Sequence, residues 1–394
     1  MSSDVSIVLG IHDEKTMTQI QTIAQHPKAV RAALMADGHL GYGMPIGGVV
    51  AYDNAVSPEG VGFDIGCGNK AVKTDRKFED WSNDVGLEAA MDEIFDKVAF
   101  GVGQASGINA DHPLFDDPRF EMELAKPLKQ TARSQLGSVG SGNHYVDLMV
   151  DAEGWLWVGV HFGSRGLGHK LASKFMTDGP MEKPVTVLDL NTYEGEDYWN
   201  YMELAGAYAY AGRDCVIKQV LGIIDCLSTF EVHNHHNYAW KESHKDLGEV
   251  VVVRKGATPA QWGQQGFVGG SMGDDAVILE GTDPGSDLAT QEATMFSTVH
   301  GAGRVMSRTQ AKGKWNRKTG EIKSPGKISH QMMREWIDRR GVTLRGSDLD
   351  EAPQAYRRLD DVLVAQGNTI KVTQRLRPVG VAMAGAKDFD PYKD

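Results

Sequence analysis

Cys67 sits in the segment GVGFDIGCGN, Gly60 to Asn69, three positions after Asp64 and without a CxxC partner anywhere in the chain. A thiolate beside a carboxylate, held in glycine-rich backbone, makes a poor structural zinc knot and a good corner of a catalytic metal site. Five further glycine- or histidine-rich segments accompany it: ADGHLGYGMPIGG (36–48), GSVGSGNHYVD (137–147), VGVHFGSRGLGH (158–169), EVHNHHNYA (231–239) and VHGAGRVMSR (299–308). Each of the last four places a histidine within a few residues of glycine, asparagine or arginine.

A thiolate, a carboxylate and several imidazoles suit manganese, zinc or cobalt, whereas calcium or magnesium calls for an all-oxygen shell. Free cysteine has a pKa of about 8.5, so a bound cation is what would hold Cys67 as a thiolate at neutral pH. Sulfur can bridge, and one cysteine can serve two metals about 4 Å apart, the spacing of two-metal phosphoryl chemistry. A histidine taken singly is more often a hydrogen-bonded core or surface group. His12, His26, His112, His244 and His330 lack a glycine-rich context and are read that way.

Two other features bear on anions. Gly269 to Gly273, in GFVGGSMGDD, offer bare amides and the Ser271 hydroxyl, a concavity suited to phosphate or the edge of a base or else a tight turn. The spacing does not match the Walker pattern GxxxxGK[ST]. Between residues 301 and 327 eight Lys and Arg stand against the single acid Glu321, a local charge of +7. This is either a solvated basic loop or a track for a polyanion, with Arg165 and Arg304 near the metals to meet phosphate oxygens.

Elements that must position these groups are legible in part. Apolar runs at 5–11, 155–162, 250–254 and 276–279 read as strands. Apolar spacing of three and four predicts helices over 16–33, 87–98, 121–134, 199–228, 329–340 and 351–365. The two kinds alternate without a regular βαβ beat, which points to a mixed α+β architecture. Candidate site residues are scattered from Asp37 to Arg304, so the whole chain, 1–394, is expected to form a single domain. The segment 103–118 is the expected mobile loop. Cys215 and Cys226 fall on one face of the predicted 199–228 helix and are read as core.

The net charge of -12 argues against non-specific coating of nucleic acid. Three cysteines cannot build a disulfide framework and suit a reducing compartment, so a cytoplasmic protein is expected. The N-terminus lacks the pattern of a signal peptide and no uninterrupted run of about eighteen apolar residues occurs, which predicts neither secretion nor membrane spanning.

The motifs FDIGCGN, GSGNH, HFGSRGLG, HNYA, GSMG and HGAGRVMSR follow one another in the order found in the RtcB family of RNA-splicing ligases, and the chain resembles that family over nearly its whole length. The resemblance implies a compact α+β fold with a central β-sandwich-like core flanked by helices, and a site with two Mn2+. Carried over, Cys67 would bridge the metals, Asp64 and His144 would complete one, and His161 and His236 the other. His300 would take GMP from GTP. Asn143, Asp147, Ser271, Gly301, Ala302, Gly303 and Arg304 would line the guanylate or the RNA phosphate. The implied partners are GTP, RNA with 3'-phosphate or 2',3'-cyclic phosphate and 5'-hydroxyl ends, and an archease-like activator, for a monomeric enzyme of tRNA splicing or RNA repair.

The chain departs from the family at two places. Asp147 stands where the family usually has Glu, one methylene longer. Where the family typically ends in Lys-Gly, the corresponding stretch here reads Ala382, Met383, Ala384 and Gly385, with Lys387 the nearest lysine. Two rival readings remain: a dinuclear metal phosphoesterase with no covalent step, and a non-catalytic RNA-binding homologue.

Overall fold

Two sheets facing each other carry the fold. The computed structural model describes residues 5–106, 111–176, 185–315 and 322–386. One sheet has five strands in the order Val5–Val8, Ala29–His39, Ile46–Tyr52, Gly248–Lys255 and Asn237–His244. The larger runs Ser228–His235, Gly68–Lys77, Trp155–Phe162, Tyr145–Asp151, Ile370–Gly385, Ala276–Gly281 and Gln265–Val268, with Thr343–Ser347 added in parallel on Ile370–Gly385. Ala33, Val49 and Val252 of the first sheet pack with Val268, Val277 and Leu279 of the second. That shared layer makes the core sandwich-like, and the expected α+β class with flanking helices is what the chain adopts.

The outer face of the larger sheet is covered by helices. Val72, Val146, Val158 and Val160 bury against Met91 and Ile94 of helix Leu87–Lys97 and against Val216 and Val220 of helix Tyr193–Ile223. Burying side chains of this size contributes about 1.5–3 kcal/mol each, before the entropy of ordering them. The 31-residue helix starts at Thr192, whose side chain accepts from the Gly195 N–H, with Glu194 and Glu196 in the first turn. Acid near a helix N-terminus complements the exposed N–H groups there. No helix among the described residues is long and apolar enough to cross a membrane.

The strand expectations hold, as Val5–Val8, Trp155–Phe162, Gly248–Lys255 and Ala276–Gly281. So do the helices at 87–98 and 329–340, observed as Leu87–Lys97 and His330–Arg340. Three others were drawn too long. The first helix is Glu14–Ala24, and Ala29–Ala33 belong to a largely buried strand; the 121–134 segment is α-helical only from Lys129 and 351–365 only from Leu359, each preceded by a short 3-10 turn. Helix Tyr193–Ile223 ends before Cys226, so Cys215 and Cys226 do not share a helix face. Cys226 is buried as expected, while Cys215 is only half-buried. Of the expected mobile loop, residues 107–110 lie outside the described residues, and its second half forms short 3-10 turns anchored by the buried Phe115 and Phe120.

Candidate active site

Cys67 is delivered by a turn at the entrance to strand Gly68–Lys77, and the glycines on either side of it are steric requirements. Gly66 has φ +70, and a Cβ there would meet Gly206, Ala209 and His235 at 3.1–3.2 Å. A Cβ on Gly68 would stand 2.1 Å from the Asn234 carbonyl oxygen. Such close backbone approach is what glycine permits. On the other side, the Cys67 carbonyl accepts the N–H groups of His236 and Asn237, at 2.9 and 3.2 Å. The cysteine and the HNHHNYA segment are thereby locked in register.

Cys67, His161 and His236 form one group of donor atoms all within 4.8 Å of one another, and Asp64, Cys67 and His144 form a second. Cys67 belongs to both. Its Sγ lies 3.7 Å from His161 Nε2 and 3.9 Å from His144 Nε2. Partners on the far side of each ring fix which nitrogen points inward. His161 Nδ1 donates to Asn69 Oδ1 at 2.6 Å, and Asn69 Nδ2 in turn donates to the Phe267 carbonyl at 2.8 Å, which orients the amide. His144 Nδ1 donates to the Val139 carbonyl at 3.0 Å. The His161 Nε2 lone pair is therefore left facing the sulfur, while His144 Nε2 stands between the sulfur and Asp64 Oδ2, 3.2 Å away; outer partners of this kind tune metal-binding imidazoles.

Electrostatics agree with a cation site. Burial holds His161 and His236 well below the usual imidazole range, so both are neutral and able to donate a lone pair. Burial opposes the charge on Asp64, but hydrogen bonding and charge from His144, with help from Arg165, bring it down to about 2. Burial and the Asp64 carboxylate push the Cys67 thiol well up. A thiol of that kind releases its proton only when a cation takes its place. One sulfur, three imidazole nitrogens and one carboxylate fit a pair of borderline transition-metal ions sharing Cys67.

The imidazoles form a chain. The ring centroids of His144 and His161 are 5.4 Å apart, those of His161 and His236 5.2 Å, and those of His236 and His300 4.9 Å. His300 thus packs directly against His236 of the first donor group. Its Nδ1 lies 2.6 Å from Asp37 Oδ2, at ion-pair distance without hydrogen-bond alignment, and the same oxygen accepts the N–H groups of His300 and Gly301 at 3.0 and 3.2 Å. Burial works against ionisation of Asp37, but His300 outweighs it and lowers the carboxyl's pKa. Gly303, at φ +71, lets the HGAG turn lie on the Asp37 carbonyl, which a Cβ would meet at 2.3 Å.

Around this core, Asn143 Nδ2 lies 3.3 Å from His161 Nε2. Gly269 bridges to Gly301, which sets the GGSMG loop against the HGAG turn; Ser271 donates to Asp274 at 2.7 Å. Ala302 is buried. Asp147 is buried two positions from Tyr145, whose ring stacks on His161 at 5.4 Å. Burial raises the Asp147 pKa well above the carboxylate range, and its Oδ1 has no hydrogen-bond partner among the described residues.

Arg304 turns elsewhere: its guanidinium donates to the Asp350 carbonyl at 2.7 Å and the Tyr356 hydroxyl at 2.9 Å and pairs with Glu351. Arg308 pairs with Asp350 and Glu351, and Lys312 with Asp348. Three cations of the +7 segment are thus balanced by acids from the 348–351 turn, and Arg317 and Lys318 lie outside the described residues. Arg308 still reaches the GSGNH loop, about where a Cβ on Gly142 would stand 3.5 Å from it. Lys387 also lies outside the described residues.

A family description for tRNA-splicing ligase RtcB matches residues 19–121 and 120–384. The chain belongs to the RtcB family. It is 31% identical to the tRNA-splicing ligase RtcB of Archaeoglobus fulgidus, covering 95% of this chain and 92% of that one. It is 28% identical to the tRNA-splicing ligase RtcB of Thermococcus kodakarensis, covering 96% and 93%. With the RNA-splicing ligase RtcB of Escherichia coli it shares 29% identity over 88% of each. Two residues of this RtcB-family site carried no assigned role in the sequence reading: Asp37, named only as the first of the scattered polar groups, and Asn69, the last residue of FDIGCGN.

Proposed function

We propose that this protein is a GTP- and manganese-dependent RNA ligase that joins 3'-phosphate or 2',3'-cyclic phosphate ends to 5'-hydroxyl ends through a histidine–GMP intermediate. The observation that carries this reading is the run of four imidazoles from a thiolate-centred donor set to His300, whose Nδ1 is held by Asp37. With Nδ1 so engaged, Nε2 is the nitrogen left to attack phosphorus.

In this reading Asp64, Cys67 and His144 hold one manganese and Cys67, His161 and His236 the other. Bound manganese supplies charge neutralisation at phosphate oxygens and a more acidic water for opening a cyclic phosphate. His300 Nε2 forms a bond to the α-phosphorus of GTP as the bond to the bridging oxygen breaks and pyrophosphate departs. An oxygen of the RNA 3'-phosphate then attacks that phosphorus, the P–N bond breaks and the imidazole is regenerated. Finally the 5'-hydroxyl attacks the activated RNA phosphate and GMP leaves. Asn143, Ser271 and the Ala302 and Gly303 amides bind the phosphates, Arg308 beside the GSGNH loop meets the RNA backbone, and a neutral Asp147 meets the base edge. Residues 1–394 act as one catalytic domain, with RNA and GTP as partners and an archease-like activator as a candidate third.

Incubation with labelled GTP and Mn2+ tests the reading. An acid-labile adduct that disappears in His300→Ala, together with joining of a 3'-phosphate RNA to a 5'-hydroxyl RNA, is expected. Phosphate release without any adduct would instead support a phosphoesterase, and neither activity would support an RNA-binding homologue.

A further inference from the structure

Arg213, in the middle of helix Tyr193–Ile223, is fully buried and has no part in the chemistry above. Its guanidinium has four acceptors. Nε donates to His233 Nε2 at 2.8 Å, one terminal nitrogen donates to the carbonyls of Gly66 at 2.9 Å and Phe162 at 2.6 Å, and the other donates to His235 Nδ1 at 2.9 Å. Gly66 precedes Cys67, Phe162 follows His161, and His235 precedes His236. One rigid fork therefore ties together the three strands that supply the Cys67, His161 and His236 group, each within one residue of its donor.

Packing alone does not account for it. Among the described residues no carboxylate pairs with Arg213, since the adjacent Asp214 is engaged by Lys70 and His233. A buried cation without an ion-pair partner is expensive, and an apolar residue would fill the same space at lower cost. What an apolar residue could not do is hold two carbonyls and two imidazoles at fixed separation. Lysine could not either, having a single point of donation in place of a planar fork.

Building on the metal reading above, we propose that Arg213 is the positioning residue of the metal centre, setting the spacing of Cys67, His161 and His236 from behind. It touches no substrate or cation. Its effect passes through the backbone at residues 66 and 162 and through the His235 ring.

The test compares the full-length protein with Arg213→Lys, Arg213→Gln and His233→Ala. Mn2+ alone is titrated calorimetrically, and Co2+ serves as a spectroscopic probe of sulfur coordination. Loss of an outer partner of this kind costs roughly 10- to 100-fold in metal affinity. Arg213→Lys is expected to lose at least about tenfold in Mn2+ affinity and to shift the Co2+–thiolate absorption while keeping a cooperative thermal transition. Arg213→Gln is expected to lose more, and His233→Ala, which removes one acceptor of the four, less. Wild-type affinity and an unshifted cobalt spectrum in Arg213→Lys would overturn the proposal and leave the metal centre standing. Wild-type protein that binds neither ion would sink the functional reading and this one with it. Should both Arg213 variants fail to fold, His233→Ala decides: lowered affinity supports the fork, and unchanged affinity overturns it.

Discussion

Asp37 Oδ2 meets His300 at two atoms, the ring Nδ1 at 2.6 Å and the backbone N at 3.0 Å, and also takes the Gly301 N–H. One carboxylate oxygen thus fixes the ring, the strand end and the turn that follows. Asp37→Asn leaves the shape and removes the charge that holds the tautomer. It is expected to slow formation of the guanylate adduct by a hundredfold or more, on the order seen when a tautomer-fixing carboxylate is lost. Adduct formation timed under single-turnover conditions measures this, and an unaffected rate would show that Asp37 serves only the turn.

Burial and Asp64 keep Cys67 protonated at neutral pH, so loading the site with Mn2+ must expel that proton. Calorimetric titration in buffers of different ionisation enthalpy is expected to show about one proton released from the thiol and tighter binding as pH rises. Cys67→Ala should abolish the pH dependence along with most of the affinity. A titration with no proton release would mean the sulfur is not a ligand.

Asp147 gives a signed pH effect on stability. The unfolded chain releases this carboxyl's proton near pH 3.9 or about that, while the folded protein holds it to much higher pH. Above that point the folded state binds more protons than the unfolded, so stability from this group falls as pH rises. Asp147→Asn removes the slope, and its stability relative to wild type should grow between about pH 5 and pH 8 while GTP labelling declines. Denaturant titrations at the two pH values check it; parallel curves for the two proteins would refute a neutral Asp147.

Gly68→Ala places a methyl 2.1 Å from a backbone oxygen, which only a separation of strands Gly68–Lys77 and Ser228–His235 can relieve. Overpacking costs typically 1–3 kcal/mol, and because the obstacle is main chain the expectation is about 3 kcal/mol, with metal affinity falling alongside. Chemical denaturation reads the first and Mn2+ titration the second.

The site was more legible than the scaffold, for physical reasons. Histidine, cysteine and glycine in polar loops announce themselves because chemistry restricts which residues can stand there, and Asp64, Cys67, His144, His161 and His236 do converge on two donor groups. Asp37 stood among the scattered polar groups but its role was not read, because that role depends on a partner 263 positions away, a distance no local pattern carries. The three over-long helices share one cause: each predicted span contains a proline, Pro27, Pro127 or Pro353, and the observed helix lies wholly on one side of it. Proline disfavours helical geometry in the residue before it and lacks the N–H an inner turn requires. Ala29–Ala33 then pair as a strand between Val5–Val8 and Ile46–Tyr52 with Ala29, Ala32 and Ala33 buried, and that tertiary pairing overrides their helical propensity.

Strand Ile370–Gly385, which follows every other strand of the larger sheet along the chain, lies between Tyr145–Asp151 and Ala276–Gly281 in the middle of that sheet. Asp64, Cys67, His144, His161, His236 and His300 all precede it in the chain, yet without it the larger sheet has a gap at its centre. A chain lacking residues 370–385 would therefore leave strands Tyr145–Asp151 and Ala276–Gly281 without the neighbour they share, and the donor groups built on this sheet would lose their common frame.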